Sequence, residues 1–188
     1  QKAIEESELA VNPVDATKAP PVQKPEVRVL EPKELLSFLE NIKGNRYELI
    51  YVLALKSGLR RGELLGLRWQ DIDFNKGYLD VRQQVVKTSD GVIISTPKSN
   101  RSCRRVIIDQ DMVERLKKHR ADQNAQKLKA HEIWQDNDLV FCSEIGGIMI
   151  PDTISQAFCR LRKQLGMRKI RFHDLRHTFA TNWLGANA

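Results

Sequence analysis

From residue 31 onward the chain alternates between apolar stripes at helical spacing and a block of β-branched residues. Leu35, Leu36, Phe38 and Leu39 follow Glu31-Pro32, where proline suits a first helical turn, and Gly44 closes the segment. Residues 46–57 (RYELIYVLALKS) predict a strongly apolar helix, with Gly58 placed to end it in a left-handed conformation. Residues 62–67 predict a short helix with Leu64, Leu65 and Leu67 inward, and Asp71-Ile72-Asp73 leads out of it. The period then changes to two. Residues 78–87, 92–96 and 105–108 read as strands, Asp90-Gly91 is a hairpin signal, and the three predict one small antiparallel sheet. Residues 110–130 predict a charged amphipathic helix burying Met112, Val113, Leu116 and Leu128. Leu139 to Cys142 form a short apolar run closed by Gly146-Gly147. Pro151-Asp152-Thr153 then opens a helix that Gly166 ends. Residues 173–184 predict a last helix, with Leu175, Phe179 and Trp183 as its buried stripe. Helices, a small three-stranded antiparallel sheet, then helices again make a mainly helical α+β chain, not an alternating βαβ one.

Residues 1–30 lack this periodicity. Pro13, Pro20, Pro21 and Pro25 punctuate them, a density that favours an extended, semi-rigid segment. They predict a tail or interdomain linker arriving from a missing amino-terminal domain, with residues 31–188 as the compact unit. A chain of 188 residues can bury one core of ordinary size. No stretch approaches the ~20 apolar residues of a bilayer span, and QKAIEESELAVNP lacks the apolar centre of a signal peptide. Cys103, Cys142 and Cys159 are an odd, widely spaced set without a CxxC pair. That argues against a disulfide framework or a zinc site, and for a reducing, cytoplasmic compartment.

Charge narrows the choice of partner. There are 31 Lys+Arg against 24 Asp+Glu, a net charge of +7. Residues 98–120 hold eight basic and three acidic side chains, and residues 151–188 hold seven and two, so each block carries +5. Two basic blocks point to a polyanion, most commonly nucleic acid.

Three places suit phosphate chemistry. His173 and Arg176 are three apart and share a helix face, which sets a group that titrates near neutrality beside a guanidinium fork. His177 lies roughly 100° round the helix from Arg176 and reads as a structural histidine. Arg60 stands at a glycine-bounded turn entering a helix, with Glu63 three residues on and able to hold it. Lys98 lies in the polar connection 96–101, where a lysine can contact phosphate or release a proton. Singly, each is more often a solvated charge than a site.

Together they form a pattern. Ser-Gly-Leu-Arg-Arg-Gly-Glu-Leu-Leu-Gly-Leu-Arg-Trp-Gln-Asp-Ile-Asp (57–73) resembles the first arginine motif of the tyrosine recombinases, the phage integrase family. Thr-Pro-Lys-Ser (96–99), followed by Arg104-Arg105-Val106, resembles that family's catalytic-lysine hairpin. His-Asp-Leu-Arg-His-Thr-Phe-Ala-Thr (173–181) resembles its His-x-x-Arg motif. The resemblance spans residues 31–188 in family order, and the tail to residue 30 resembles the linker from the family's core-binding domain. It implies the fold of the DNA breaking-rejoining enzymes and site-specific recombination that integrates or excises a prophage or mobile element. In such an enzyme a tyrosine hydroxyl attacks a scissile phosphate, forms a 3′-phosphotyrosyl bond and frees a 5′-hydroxyl, with no cofactor, metal or ATP. The resemblance assigns Arg60 and Arg176 to the non-bridging oxygens and Lys98 to the leaving 5′-oxygen. It assigns His173 to the nucleophile's proton and Glu63 to support of the arginines. Double-stranded DNA is the implied partner, bound by a homotetramer of the full-length protein. Tyr47, Tyr51 and Tyr78 all precede the His-x-x-Arg motif, and none matches the nucleophile's position. The chain is therefore expected to stop short of its nucleophile and to be inactive alone. A non-catalytic DNA-binding regulator and a type IB topoisomerase-like enzyme are the competing readings. A metal-dependent nuclease would need more carboxylates than Asp71 and Asp73.

Overall fold

The computed structural model describes residues 28–96 and 103–186, with side chains through residue 181. Lys98 and residues 1–27 of the predicted linker lie outside the described residues. Helix α1 (Pro32–Asn41) begins at its proline, with the Glu31 N–H donating to Glu34 Oε2 at 2.8 Å, and turns Phe38 into the core. Helix α2 (Glu48–Ser57) buries every residue from 50 to 55. A helix apolar all round must be surrounded, and α2 is the central helix. It ends at Gly58, whose φ of 61° and ψ of 23° are left-handed. A β-carbon on Gly58 would stand 2.5 Å from Phe179 Cδ1, so the missing side chain also admits the last helix, α6 (Asp174–Ala186).

The short helix α3 (Arg61–Leu65) explains the β region. Strands β1 (Ile72–Asp73), β2 (Tyr78–Val81) and β5 (Arg104–Ile107) form an antiparallel sheet in the order β1-β2-β5. Strands β3 (Gln84–Thr88) and β4 (Gly91–Ser95) form a separate hairpin, with Val85 opposite Ile94. The expected strand over 78–87 is thus two strands, and residues 72–73, expected to lead out of a helix, supply the third strand of the sheet. The break at Arg82-Gln83 is made by contacts with α3. Gln83 Nε2 donates to the Gly66 carbonyl at 2.8 Å, drawing the chain onto α3. There a β-carbon on Gly62 would lie 2.6 Å from Val85 O, and one on Gly66 would lie 2.8 Å from Gln84 Cα. The two glycines let β3 approach α3 more closely than a continuous strand would allow.

Helix α4 (Gln110–Ala130) is capped by Asp109, which accepts the Met112 N–H at 2.8 Å. Met112, Val113 and Leu116 are buried as expected, but Leu128 is 73% exposed. The helix outruns the core, and its deepest late position is Gln123. That amide accepts from Trp69 Nε1 at 2.6 Å and donates to the carbonyls of Leu139 and Val140 at 3.2 and 3.1 Å. Helix α5 (Pro151–Gln164) brings Phe158 against Phe38, Tyr51 and Phe172, with ring centroids 5.6 to 5.9 Å apart. The chain is anchored from its first described residues. Leu30 is buried and its N–H donates to Thr178 Oγ1 at 3.0 Å, while Arg28 donates to the Lys169 carbonyl at 3.0 Å. Among the described residues, no helix is long and apolar enough to cross a membrane.

Candidate active site

The turn between α2 and α3 is tied on both sides. Ser57 Oγ donates back to the Leu53 carbonyl at 2.5 Å and accepts the Leu59 N–H at 3.3 Å. Arg60 follows in an extended conformation and caps α3. One turn in, Glu63 is only 4% exposed and accepts four hydrogen bonds. Its Oε2 takes the Arg60 backbone N–H and Arg104 Nη2, both at 2.7 Å. Its Oε1 takes Arg60 Nη1 and Arg104 Nη1, both at 2.9 Å. Burial alone would push this carboxyl up. The hydrogen bonds from Arg104 and from the Arg60 backbone outweigh it and hold the group at about 2. Glu63 is a fixed negative charge to which two arginines from different elements are tied.

A third guanidinium arrives from α6. Arg176 is half-buried and donates to the carbonyl of Gly58. Burial, then repulsion from Arg60 and Arg104, lowers it from its ordinary value, with Glu63 opposing. An arginine in a protein does not deprotonate. The depression therefore registers an excess of positive charge: three guanidiniums around one carboxylate. His173 stands one turn before Arg176, edge-on to His177 with ring centroids 5.0 Å apart. Burial first, then the charges of His177 and Arg176, lowers His173 below its ordinary value, so it is neutral near pH 7 and able to accept a proton. The helix start that carries it is rigidly held. Buried Asp174 accepts the Arg171 N–H at 2.7 Å and Arg171 Nη2 at 3.0 Å, and Thr178 Oγ1 donates to the Asp174 carbonyl at 3.0 Å.

Beside this cluster lies a cleft of about 740 Å³ bounded by α3, β3, α5 and the segment before α6. Arg60, Arg61, Lys87, Arg162, Arg171 and His173 are among its walls. Lys87 and Arg61 share Asp152, at 2.8 and 3.5 Å. A cleft this basic, next to a neutral imidazole, can hold a phosphate and move a proton beside it.

A sequence model of the phage integrase family matches residues 28–188. The chain belongs to the phage integrase family. A tyrosine recombinase XerC-like protein of Caldanaerobacter subterraneus subsp. tengcongensis is 32% identical to it over 198 residues, covering 95% of the chain and 50% of that relative. The ICEBs1 integrase of Bacillus subtilis is 27% identical over 178 residues, covering 94% of the chain and 48% of that relative. The chain thus spans about half the length of these curated relatives. Among solved structures, that of the Tn1549 transposon integrase in complex with a circular intermediate DNA has the same fold. Its TM-score is 0.78 at 22% identity, over 98% of the chain and 62% of that structure.

Within this integrase-family chain, the first arginine motif and the His-x-x-Arg motif meet. Arg60, Glu63 and Arg176 gather at the Gly58 turn, and His173 lines the same cleft as Arg60. Lys98 lies outside the described residues. His177, read from sequence as structural, packs edge-on against His173 because four residues are close to one helical turn, and it is not among the cleft's lining residues. Arg104 is the residue sequence reasoning passed over, quoting it only as part of a motif. The signal was the period of two: Val106 packs on the core, so Arg104 faces inward as well, and an inward guanidinium needs a carboxylate. No tyrosine is among the cleft's lining residues. Tyr51 is 0% exposed, Tyr47 packs against it with centroids 6.3 Å apart, and Tyr78 lies under the Arg105 guanidinium at 3.6 Å.

Proposed function

We propose that this chain is the catalytic part of a site-specific recombinase that integrates or excises a mobile element or prophage by DNA cleavage and rejoining. The observation that carries the reading is the Glu63-anchored cluster: Arg60, Arg104 and Arg176 around one carboxylate, with His173 beside it. A phosphodiester gathers further negative charge on its non-bridging oxygens as a nucleophile adds. Guanidiniums fixed in advance stabilise that charge at no reorganisation cost. Arg60 and Arg176 hold the non-bridging oxygens. His173 accepts or shares the proton of the attacking tyrosine hydroxyl, and Lys98 gives a proton to the leaving 5′-oxygen. The bond from phosphorus to the 5′-oxygen breaks as the bond to the tyrosine oxygen forms. Attack by a 5′-hydroxyl reverses the exchange, restores a phosphodiester and frees the tyrosine, so no outside energy source is consumed. Tyr47, Tyr51 and Tyr78 are engaged elsewhere, and none of them is given the nucleophile's role. Duplex DNA as substrate is supported by the DNA complex of the Tn1549 integrase and by the basic walls of the cleft, which suit flanking phosphates. A homotetramer assembled on DNA in the cytoplasm completes the reading.

The test uses the whole recombinase and a nicked duplex that loses a short strand after cleavage, so that a covalent adduct accumulates on a denaturing gel. Arg60→Ala and Arg176→Ala should each slow adduct formation roughly 100- to 1,000-fold. The 188-residue chain alone should form none. An adduct from that chain, or undiminished rates in both variants, overturns the proposal.

A further inference from the structure

Arg104 belongs to the cluster but is given no role in the reaction above, and its surroundings argue for one. Its two Nη atoms grip both oxygens of Glu63 in a fork at 2.9 and 2.7 Å, and its side chain is 30% exposed. Arg60 is the more exposed of the two, at 54%, and its guanidinium reaches Glu63 through a single bond from Nη1 to Oε1. The direction in which Arg60 points therefore depends on where Glu63 holds its oxygens. Of the four hydrogen bonds that fix those oxygens, Arg104 supplies two, and they are the pair that sets the plane of the carboxylate. Arg104 also stands close enough to Arg176 to lower it, so it shapes the field at the third guanidinium too.

Resting on the recombinase reading, we propose that Arg104 is a positioning residue for the reaction: it locks the Glu63 carboxylate in the orientation that aims Arg60 at the scissile phosphate. Its partner is Glu63, held through both terminal nitrogens, so the role is assigned through Glu63 and not through contact with the phosphate. Lysine cannot replace it, since an ammonium is a point charge and cannot hold two oxygens in one plane.

The experiment measures adduct formation by the whole recombinase on two nicked duplexes. One has an ordinary scissile phosphate. The other carries a methylphosphonate there, in which a neutral methyl replaces one charged oxygen. Neutralising the phosphate relieves the need for a well-aimed clamp but does nothing for a loosened fold. Arg104→Ala should slow cleavage of the ordinary substrate about 100-fold, the scale of a displaced catalytic contact. Arg104→Lys, which keeps a charge beside Glu63, should fall by roughly 10-fold or more at an unchanged melting temperature. Both losses should shrink on the methylphosphonate, as the Arg60→Ala loss should. Because Arg104 acts through Arg60, the double variant should be no slower than Arg60→Ala alone. Equal losses on the two substrates, losses that multiply with Arg60→Ala, or a wild-type rate in Arg104→Ala beside a crippled Arg60→Ala overturns the positioning role alone. A wild-type rate in Arg60→Ala overturns the recombinase reading and this inference with it.

Discussion

Replacing Glu63 with glutamine removes one charge and almost no volume. In the native structure that charge is 4% exposed and ringed by four donors. Its carboxyl falls from the ordinary 4.5 to about 2 on folding. At about 1.4 kcal/mol per tenfold change, that difference is worth roughly 3 kcal/mol. Removing one partner of a buried ion pair costs about 3–5 kcal/mol, which agrees. The sign follows from the direction. A carboxyl lowered by folding contributes stability fully above its unfolded value and loses it as pH falls toward the folded one. Urea unfolding of the wild type and Glu63→Gln should therefore differ by about 3 kcal/mol at pH 7. Less than half of that gap should remain by pH 3, because only the wild type still titrates at this position. The other carboxylates titrate in both chains and cancel. A gap below about 1 kcal/mol at pH 7, or one that stays constant from pH 5 to pH 3, would refute the account of Glu63 as a buried, charge-locked hub.

Three further substitutions probe the frame around the site. Gly62→Ala places a β-carbon 2.6 Å from the Val85 carbonyl, a backbone atom with no rotamer to yield. It should cost about 1–3 kcal/mol in thermal unfolding, and wild-type stability would show that β3 does not need the close approach to α3. Tyr51→Phe removes a buried hydroxyl that has no hydrogen-bond partner. Its stability should match or exceed the wild type by about 1 kcal/mol, whereas a loss of that size would reveal a partner for the hydroxyl. Leu128→Lys, at a position 73% exposed, should stay within about 0.5 kcal/mol, and a larger loss would mean that the end of α4 packs against something.

The helices were legible because their cues are local. Proline at the start of α1 and α5, and glycine after α2, act within one turn of the chain. The partition of the strands was not. Within residues 78–87 the alternation lapses at Arg82-Gln83-Gln84, but three polar residues in a row do not by themselves say that the strand ends there. That break is set by Gly62 and Gly66, some twenty residues upstream, which make a surface flat enough to capture β3. Leu128 misled for the opposite reason. Its spacing is helical, but periodicity gives the face of a residue and not whether the core extends that far. In the site, Arg60, Glu63, His173 and Arg176 could be named because each belongs to a motif with a local grammar. Arg104 needed its partner to be visible, and that partner lies 41 residues away on another element.

The contacts that build the three-arginine cluster also say when in folding it can exist. Glu63 and Arg104 close a span of 41 residues, Gly58 and Arg176 one of 118, and Leu30 and Thr178 one of 148. Joining such distant segments carries a loop-closure entropy that local helices do not bear, and long-range contacts of this kind form late. A nascent chain emerging from the ribosome can already hold α2 and α3, with Arg60 in place on its cap, yet its three arginines do not converge until α6 has been synthesised and docked. Assembly of the cluster is in this sense a timer. Chains interrupted before residue 176 lack the third guanidinium and cannot present a complete, charge-dense pocket to the nucleic acids around them.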